Sequence, residues 1–158
     1  MRALLLARHA HASSNADATV SCRPPGPGLS PLGRRQAVSL GAALGDEEID
    51  LGVASELERT RETLALALAG RDVPIVECAG LNEIGFGSFE GGPLTAYRAW
   101  AWTAAPDEDC PGGGESRHAA ARRFGVALEW LLGRPAAAAP VVGHALFVPY
   151  VLAAGARR

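Results

Sequence analysis

The feature that most constrains this chain is the alternation of short apolar runs with helix-like segments, each joined by polar or Gly/Pro-rich turns. Residues 3–7 form a continuous apolar run closed by Arg8 and His9, the pattern of a strand buried on both faces. A long irregular stretch over 9–28 follows. In Leu29-Ser30-Pro31-Leu32, Ser30 can cap a helix and Pro31 suits its first position; the helix is expected to run to Leu44, with Gly45 as its left-handed stop. The same reasoning predicts a strand over 49–55, a helix over 56–69, a strand over 73–77, a Gly-rich loop over 80–92 and a helix over 93–103. A loop over 104–114, a helix over 115–132, a strand over 140–143 and a last helix over 145–154, distorted by Pro149, complete the reading. Residues 136–139 read as a low-complexity connector. Strands alternating with helices give an α/β three-layer sandwich: a mostly parallel sheet with helices on both faces. The chain of 158 residues suits one domain spanning 1–158.

Composition removes several function classes. The net charge is −2, and no basic stripe is present to neutralise many phosphates, so no nucleic-acid partner is expected. All 15 basic residues are Arg, which excludes Lys nucleophiles and Schiff bases. Cys22, Cys78 and Cys110 are odd in number and far apart, so a reducing cytoplasm is expected rather than a disulfide framework. The apolar start is too short for a signal peptide, and no run is long enough for a membrane span, so no membrane partner is expected.

The chemistry is expected at the carboxyl ends of the strands, where ligands of open parallel sheets bind. His9 and His144 each follow a strand. Arg59 follows the second strand and Glu83 the third, with Arg8 beside His9. Two arginines, two histidines and one carboxylate suit a dianionic phosphate and a proton to be moved. Singly, each residue reads as ordinary: a capping His, a solvated helix Arg, a loop Glu. Their shared relation to strand ends is what singles them out.

These residues carry a resemblance. Leu6-Ala7-Arg8-His9-Ala10, with Asn15 six residues after His9, resembles the leading signature of the histidine phosphatase superfamily, also called phosphoglycerate-mutase-like. Leu29-Ser30-Pro31-Leu32-Gly33-Arg34-Arg35-Gln36-Ala37 resembles its Leu-Thr/Ser-x-x-Gly-x-x-Gln-Ala helix. Ser55-Glu56-Leu57-Glu58-Arg59, running on to Thr63, resembles its Ser-x-Leu-x-Arg-x-x-x-Thr block. Leu81-Asn82-Glu83 running on to Glu90-Gly91, Gly114-Glu115-Ser116, and Val141-Val142-Gly143-His144-Ala145 resemble its later blocks. Six blocks in the family's order cover most of the chain.

The resemblance implies a metal-independent phosphomonoesterase acting on a small phosphorylated metabolite, with no cofactor. His9 would be the nucleophile, forming a phosphohistidine. Arg8, Arg59 and His144 would hold the phosphoryl oxygens, Glu83 would donate and then accept the proton, and Asn15 would contact substrate or phosphate. A homodimer is left open. The departures are Ala10 for the usual Gly, His11 where an acid is common and Ala12 where a hydroxyl is common. The segment between Glu83 and His144 is short, and the final strand of relatives is expected to be missing. These departures weigh against the runner-up, phosphoglycerate-mutase-type transfer. The residues also admit a His9-x-His11 metal pair, or a non-catalytic phosphate-binding module of the same fold. Arg23 could reach the phosphate from the long loop, Trp100 could bear on substrate choice, and Cys22 reads as a free thiol.

Overall fold

In the computed structural model, which describes residues 1–155, the elements run in the expected α/β alternation. They are β1 (Ala3–Arg8), α1 (Ser13–Ala16), α2 (Pro31–Leu44), β2 (Gly52–Ala54), α3 (Glu58–Ala67) and β3 (Ile75–Glu77), followed by two single 3-10 turns, Ala79–Leu81 and Gly87–Phe89. Then come α4 (Leu94–Thr103), α5 (Arg117–Leu132), β4 (Ala138–Gly143) and α6 (Phe147–Gly155). The sheet has the order β1-β4-β2-β3, with every pair parallel. No helix among the described residues is long and apolar enough to cross a membrane.

Helix starts follow the local chemistry. Ser30 caps α2 by accepting the Gly33 N–H, with Pro31 at the first position, and Ser116 caps α5 by accepting the Ala119 N–H. Gly45 takes φ 49° and ends α2. Gly33 is fixed by packing. A Cβ there would run into the His11 carbonyl oxygen, so only Gly lets α2 lie on the loop after β1.

Several expectations need correction. β1 is half-buried rather than buried on both faces, because it pairs with β4 alone and forms an edge among the described residues. β4, which separates β1 from β2, is buried along its whole length, and so is the short β2. β4 starts at Ala138, two residues before the expected Pro140, so half of the supposed connector lies in the core. Ala138 and Ala139 are small enough to pass between the layers. β2 forms only over Gly52–Ala54; Ile49 keeps an isolated parallel bridge to Ala138, one residue out of register with the Val53–Val141 pair, and the Asp50 carboxylate accepts the Ala137 N–H beside it. β3 starts at Ile75, after Pro74, which has no N–H to donate. The long stretch over 9–28 is not structureless: it holds α1, and Ala12 bridges to Leu29 and Thr19 to Pro93. Pro149 falls in the first turn of α6, where no intrahelical bond is lost, so it disturbs nothing. One buried cluster, centred on Phe124, Phe147, Leu81 and Ile84, fills one side of the sheet; a second, with Leu44, Leu64 and Leu68, fills the other.

Candidate functional site

The register of β1 on β4 pairs Arg8 with Gly143, so the next residue of each strand, His9 and His144, emerge side by side. Their ring centroids lie 5.3 Å apart. β2 flanks β4 on its other side and delivers Ser55, then Arg59 in the first turn of α3. The loop after β3 delivers Glu83. Arg8, His9, Asn15, Arg59 and Glu83 line one cavity of about 550 Å³ at this edge of the sheet. His144 is fully buried and does not line it, meeting the cavity only through its neighbours.

His9 Nδ1 lies 2.8 Å from the Ala10 carbonyl oxygen. A carbonyl can only accept, so Nδ1 carries the hydrogen and Nε2 keeps its lone pair. Burial, and then the Arg59 charge, lower the His9 pKa to about 3. The imidazole is therefore neutral at neutral pH, as a nucleophile must be. The Ala10 N–H donates to Thr63 Oγ1, and Thr63 Oγ1 donates to the Arg59 carbonyl, which ties this loop to α3.

Arg59 is only 3% exposed. Its Nη2 donates to the Ser21 carbonyl and to His144 Nδ1, at 2.9 and 3.3 Å, while its Nη1 is buried without a partner. Burial works against its charge, but guanidinium remains a cation. A buried, half-satisfied cation is poised for an anion. Because Arg59 donates to Nδ1, His144 carries its hydrogen on Nε2 and donates it to Ser55 Oγ at 2.9 Å. Ser55 in turn lies 2.8 Å from Thr60 Oγ1, which donates to the Leu57 carbonyl. Burial, then Arg59, hold the His144 pKa well below its ordinary value.

Glu83 is 11% exposed at its side chain, and burial raises its pKa. Its Oε1 accepts the Ile84 N–H, and its Oε2 stands 3.8 Å from His144 Nδ1. Arg123 fixes the backbone beneath it. Its guanidinium pairs with both Glu115 oxygens, at 3.0 and 2.6 Å, and donates to the Gly80 and Asn82 carbonyls. Sequence reasoning assigns no part to Ser55, Thr63 or Arg123. Ser55, Thr63 and Glu115 do stand inside the family-like blocks, which is the one signal the sequence carries for them.

The shifted groups set how stability depends on pH. His9 and His144 bind protons more weakly folded than unfolded, so acid pulls the chain towards unfolding. Stability is expected to fall as pH drops from about 6.5 towards 3. Glu83 acts in the opposite sense: its raised folded pKa favours the native state in acid, and that contribution is lost as pH rises through the folded value. Two histidines against one glutamate make the acid loss dominate. Urea midpoints at pH 7 and pH 4.5 check it; a midpoint equal or higher at pH 4.5 would refute it.

Other expected residues sit elsewhere. Arg23 does not line the cavity, and its backbone N–H turns to Glu90. His11 Nδ1 faces Ser30 Oγ, while His9 Nδ1 faces its own loop, so these rings do not converge as a metal pair. Among the described residues no group of three or more His, Cys, Asp or Glu is placed to hold a metal. Asn15 lines the cavity, but its Oδ1 accepts the Ala12 N–H and shapes the loop. Trp100 packs on Phe89 and Tyr97, and it is Trp102 that lines the cavity. The Cys22 thiol donates to Glu90, and burial raises its pKa to about 11, so it is a protonated structural thiol.

Residues 4–156 match the model of the histidine phosphatase superfamily (branch 1). The adenosylcobalamin/alpha-ribazole phosphatase of Escherichia coli (strain K12) is 38% identical over 87 residues, 55% of this chain and 42% of that protein. The protein of the same name from Salmonella typhimurium is 40% identical over 87 residues, 55% of this chain and 43% of that one. The chain thus spans about two fifths of the length of these curated relatives. Among solved structures, Bacillus stearothermophilus YhfR aligns with a TM-score of 0.85 at 25% identity, over 98% of this chain and 79% of that one. A putative alpha-ribazole-5'-P phosphatase from Escherichia coli str. K-12 substr. MG1655 aligns with a TM-score of 0.78 at 30% identity, over 89% and 72%.

Proposed function

This chain belongs to the histidine phosphatase superfamily, and from that premise we propose that it hydrolyses a small phosphomonoester through a phosphohistidine on His9. The observation that carries the reading is the pairing, in one cavity, of a neutral imidazole whose Nε2 is bare with a buried guanidinium whose Nη1 has no partner. The first supplies a nucleophile, the second a place for phosphoryl oxygens.

His9 Nε2 attacks phosphorus and the ester P–O bond breaks. The leaving oxygen takes the proton of the Glu83 carboxyl, which burial keeps protonated to higher pH than usual. Water then attacks the phosphoryl group and gives its proton to the Glu83 carboxylate. The P–N bond breaks, and phosphate and neutral His9 are restored. Arg8 and Arg59 neutralise the charge on the equatorial oxygens, the main demand of phosphoryl transfer. His144 stands behind the cavity, accepting from Arg59 at Nδ1 and donating from Nε2 to Ser55, and so helps orient the guanidinium that meets the phosphoryl oxygens. Asn15 holds the loop that forms one wall. The names of the relatives put alpha-ribazole phosphate first among compounds to assay.

Acid and alkaline quenching of the chain during turnover of a radiolabelled phosphomonoester tests the route. A covalent label stable in alkali and lost in acid is expected, as for a P–N bond, at a level unchanged by chelator. Turnover with no trapped label, or a label that survives acid, would overturn the reading.

A further inference from the structure

The cavity is larger than a phosphoryl group needs, and its outer wall belongs to one helix. Leu94, Tyr97, Arg98, Ala101 and Trp102 of α4 all line it, at the spacing that puts residues on one helical face. The inner part of this stripe is apolar. Tyr97 is held against Phe86, with ring centroids 4.7 Å apart, and so forms a rigid wall. The outer part ends in Trp102, whose side of the helix is uncovered. It is 91% exposed, whereas Trp100, two residues earlier, is packed against Phe89 and Tyr97. An indole left in water at the lip of a cavity is a surface waiting for a flat apolar group.

Charge supplies the second half. Four arginines line the cavity, Arg8, Arg59, Arg98 and Arg117, against one carboxylate, Glu83. Arg8 and Arg59 flank His9 and suffice for a phosphate dianion. Arg117 is anchored on the Ala104 carbonyl. Arg98, one turn from Trp102, is exposed and has no hydrogen-bond or ion-pair partner among the described residues. A cation in that place is surplus to the phosphoryl group.

We propose that the α4 face of the cavity is a leaving-group subsite: the alcohol half of the substrate lays a flat ring on Trp102 and offers a second anionic group to Arg98. This rests on the phosphomonoesterase reading for its orientation, with the phosphoryl end at His9. Substrate choice then lies with α4, while the strand ends carry the chemistry.

Non-hydrolysable phosphonates separate this from turnover. By calorimetry, benzylphosphonate is expected to bind roughly tenfold more tightly than ethylphosphonate, as one aromatic contact allows. A para-carboxymethyl group on the ring should gain a further severalfold. Trp102→Ala should collapse the benzyl-to-ethyl ratio, and Arg98→Gln should remove the gain from the carboxylate; both sites are exposed, so folding is not at stake. A benzyl-to-ethyl ratio within twofold of wild type in Trp102→Ala overturns the ring half. A carboxylate gain that persists in Arg98→Gln overturns the anion half. Failure of hydrolysis with intact phosphonate discrimination would count against the His9 chemistry and leave the subsite standing.

Discussion

His9→Ala is expected to abolish hydrolysis, by at least about 10⁴-fold in kcat/KM, and to leave no trapped phosphoenzyme. The loss should be this large because the variant removes the one imidazole in the cavity lining, with its bare lone pair and no competing bond. Water at the same place would face the phosphoryl group without a base beside it. Ser14, Thr19 and Tyr97 are the hydroxyls in the lining that could substitute, and no imidazole partners any of them. His9→Ala also deprives the Ala10 carbonyl of its donor, so a second variant separates chemistry from folding. In His9→Asn the side-chain N–H can take over the bond from Nδ1, and nothing stands where Nε2 was. Both variants should bind inorganic phosphate, since Arg8 and Arg59 remain. Activity within tenfold of wild type in His9→Asn would remove the covalent route. Wild-type protein that binds phosphate but turns over no phosphomonoester would instead favour a binding module.

How legible this site is in the sequence depends on the kind of relation involved. His9 and His144 are readable because each follows an apolar run, and position after a strand is a local property. Their adjacency is not, because it depends on β4 inserting between β1 and β2, and no spacing in the chain records strand order. The same insertion explains why β1 reads as buried on both faces when it is not: an apolar run looks alike at an edge and in the middle. Small residues hide part of β4, since Ala138 and Ala139 match no strand pattern until two packed layers require them. Ser55, Thr63 and Arg123 escape for another reason. A hydroxyl or guanidinium gains its part from its partners, here a ring nitrogen 89 residues away for Ser55. Trp100 and Trp102 show the limit of reading a helix without its phase. Two residues apart they face different ways: Trp100 packs on Phe89 and Tyr97, and Trp102 meets the cavity.

Glu83→Gln should slow turnover in a way that depends on the leaving group. The substitution preserves shape, and the amide oxygen can still accept the Ile84 N–H, so the loop held by Arg123 should stay in place. What is lost is the acidic proton. An alkyl phosphate expels an alkoxide that needs that proton as the P–O bond breaks, so kcat/KM should fall by about 10²- to 10⁴-fold. A nitrophenyl phosphate expels a stable phenolate, and its kcat/KM should fall far less. The plot of log kcat/KM against leaving-alcohol pKa should therefore be steeper in the variant than in the wild type. The second half-reaction gives an independent sign. Water attacking the phosphohistidine also lacks its base, so nitrophenyl phosphate should produce a burst of nitrophenolate followed by a slow steady state, with phosphoenzyme accumulating. An equal loss for both substrates, with no burst, would show that Glu83 only shapes the cavity. The proton would then have to come from bulk water, since Glu83 is the one carboxyl among the residues that line it.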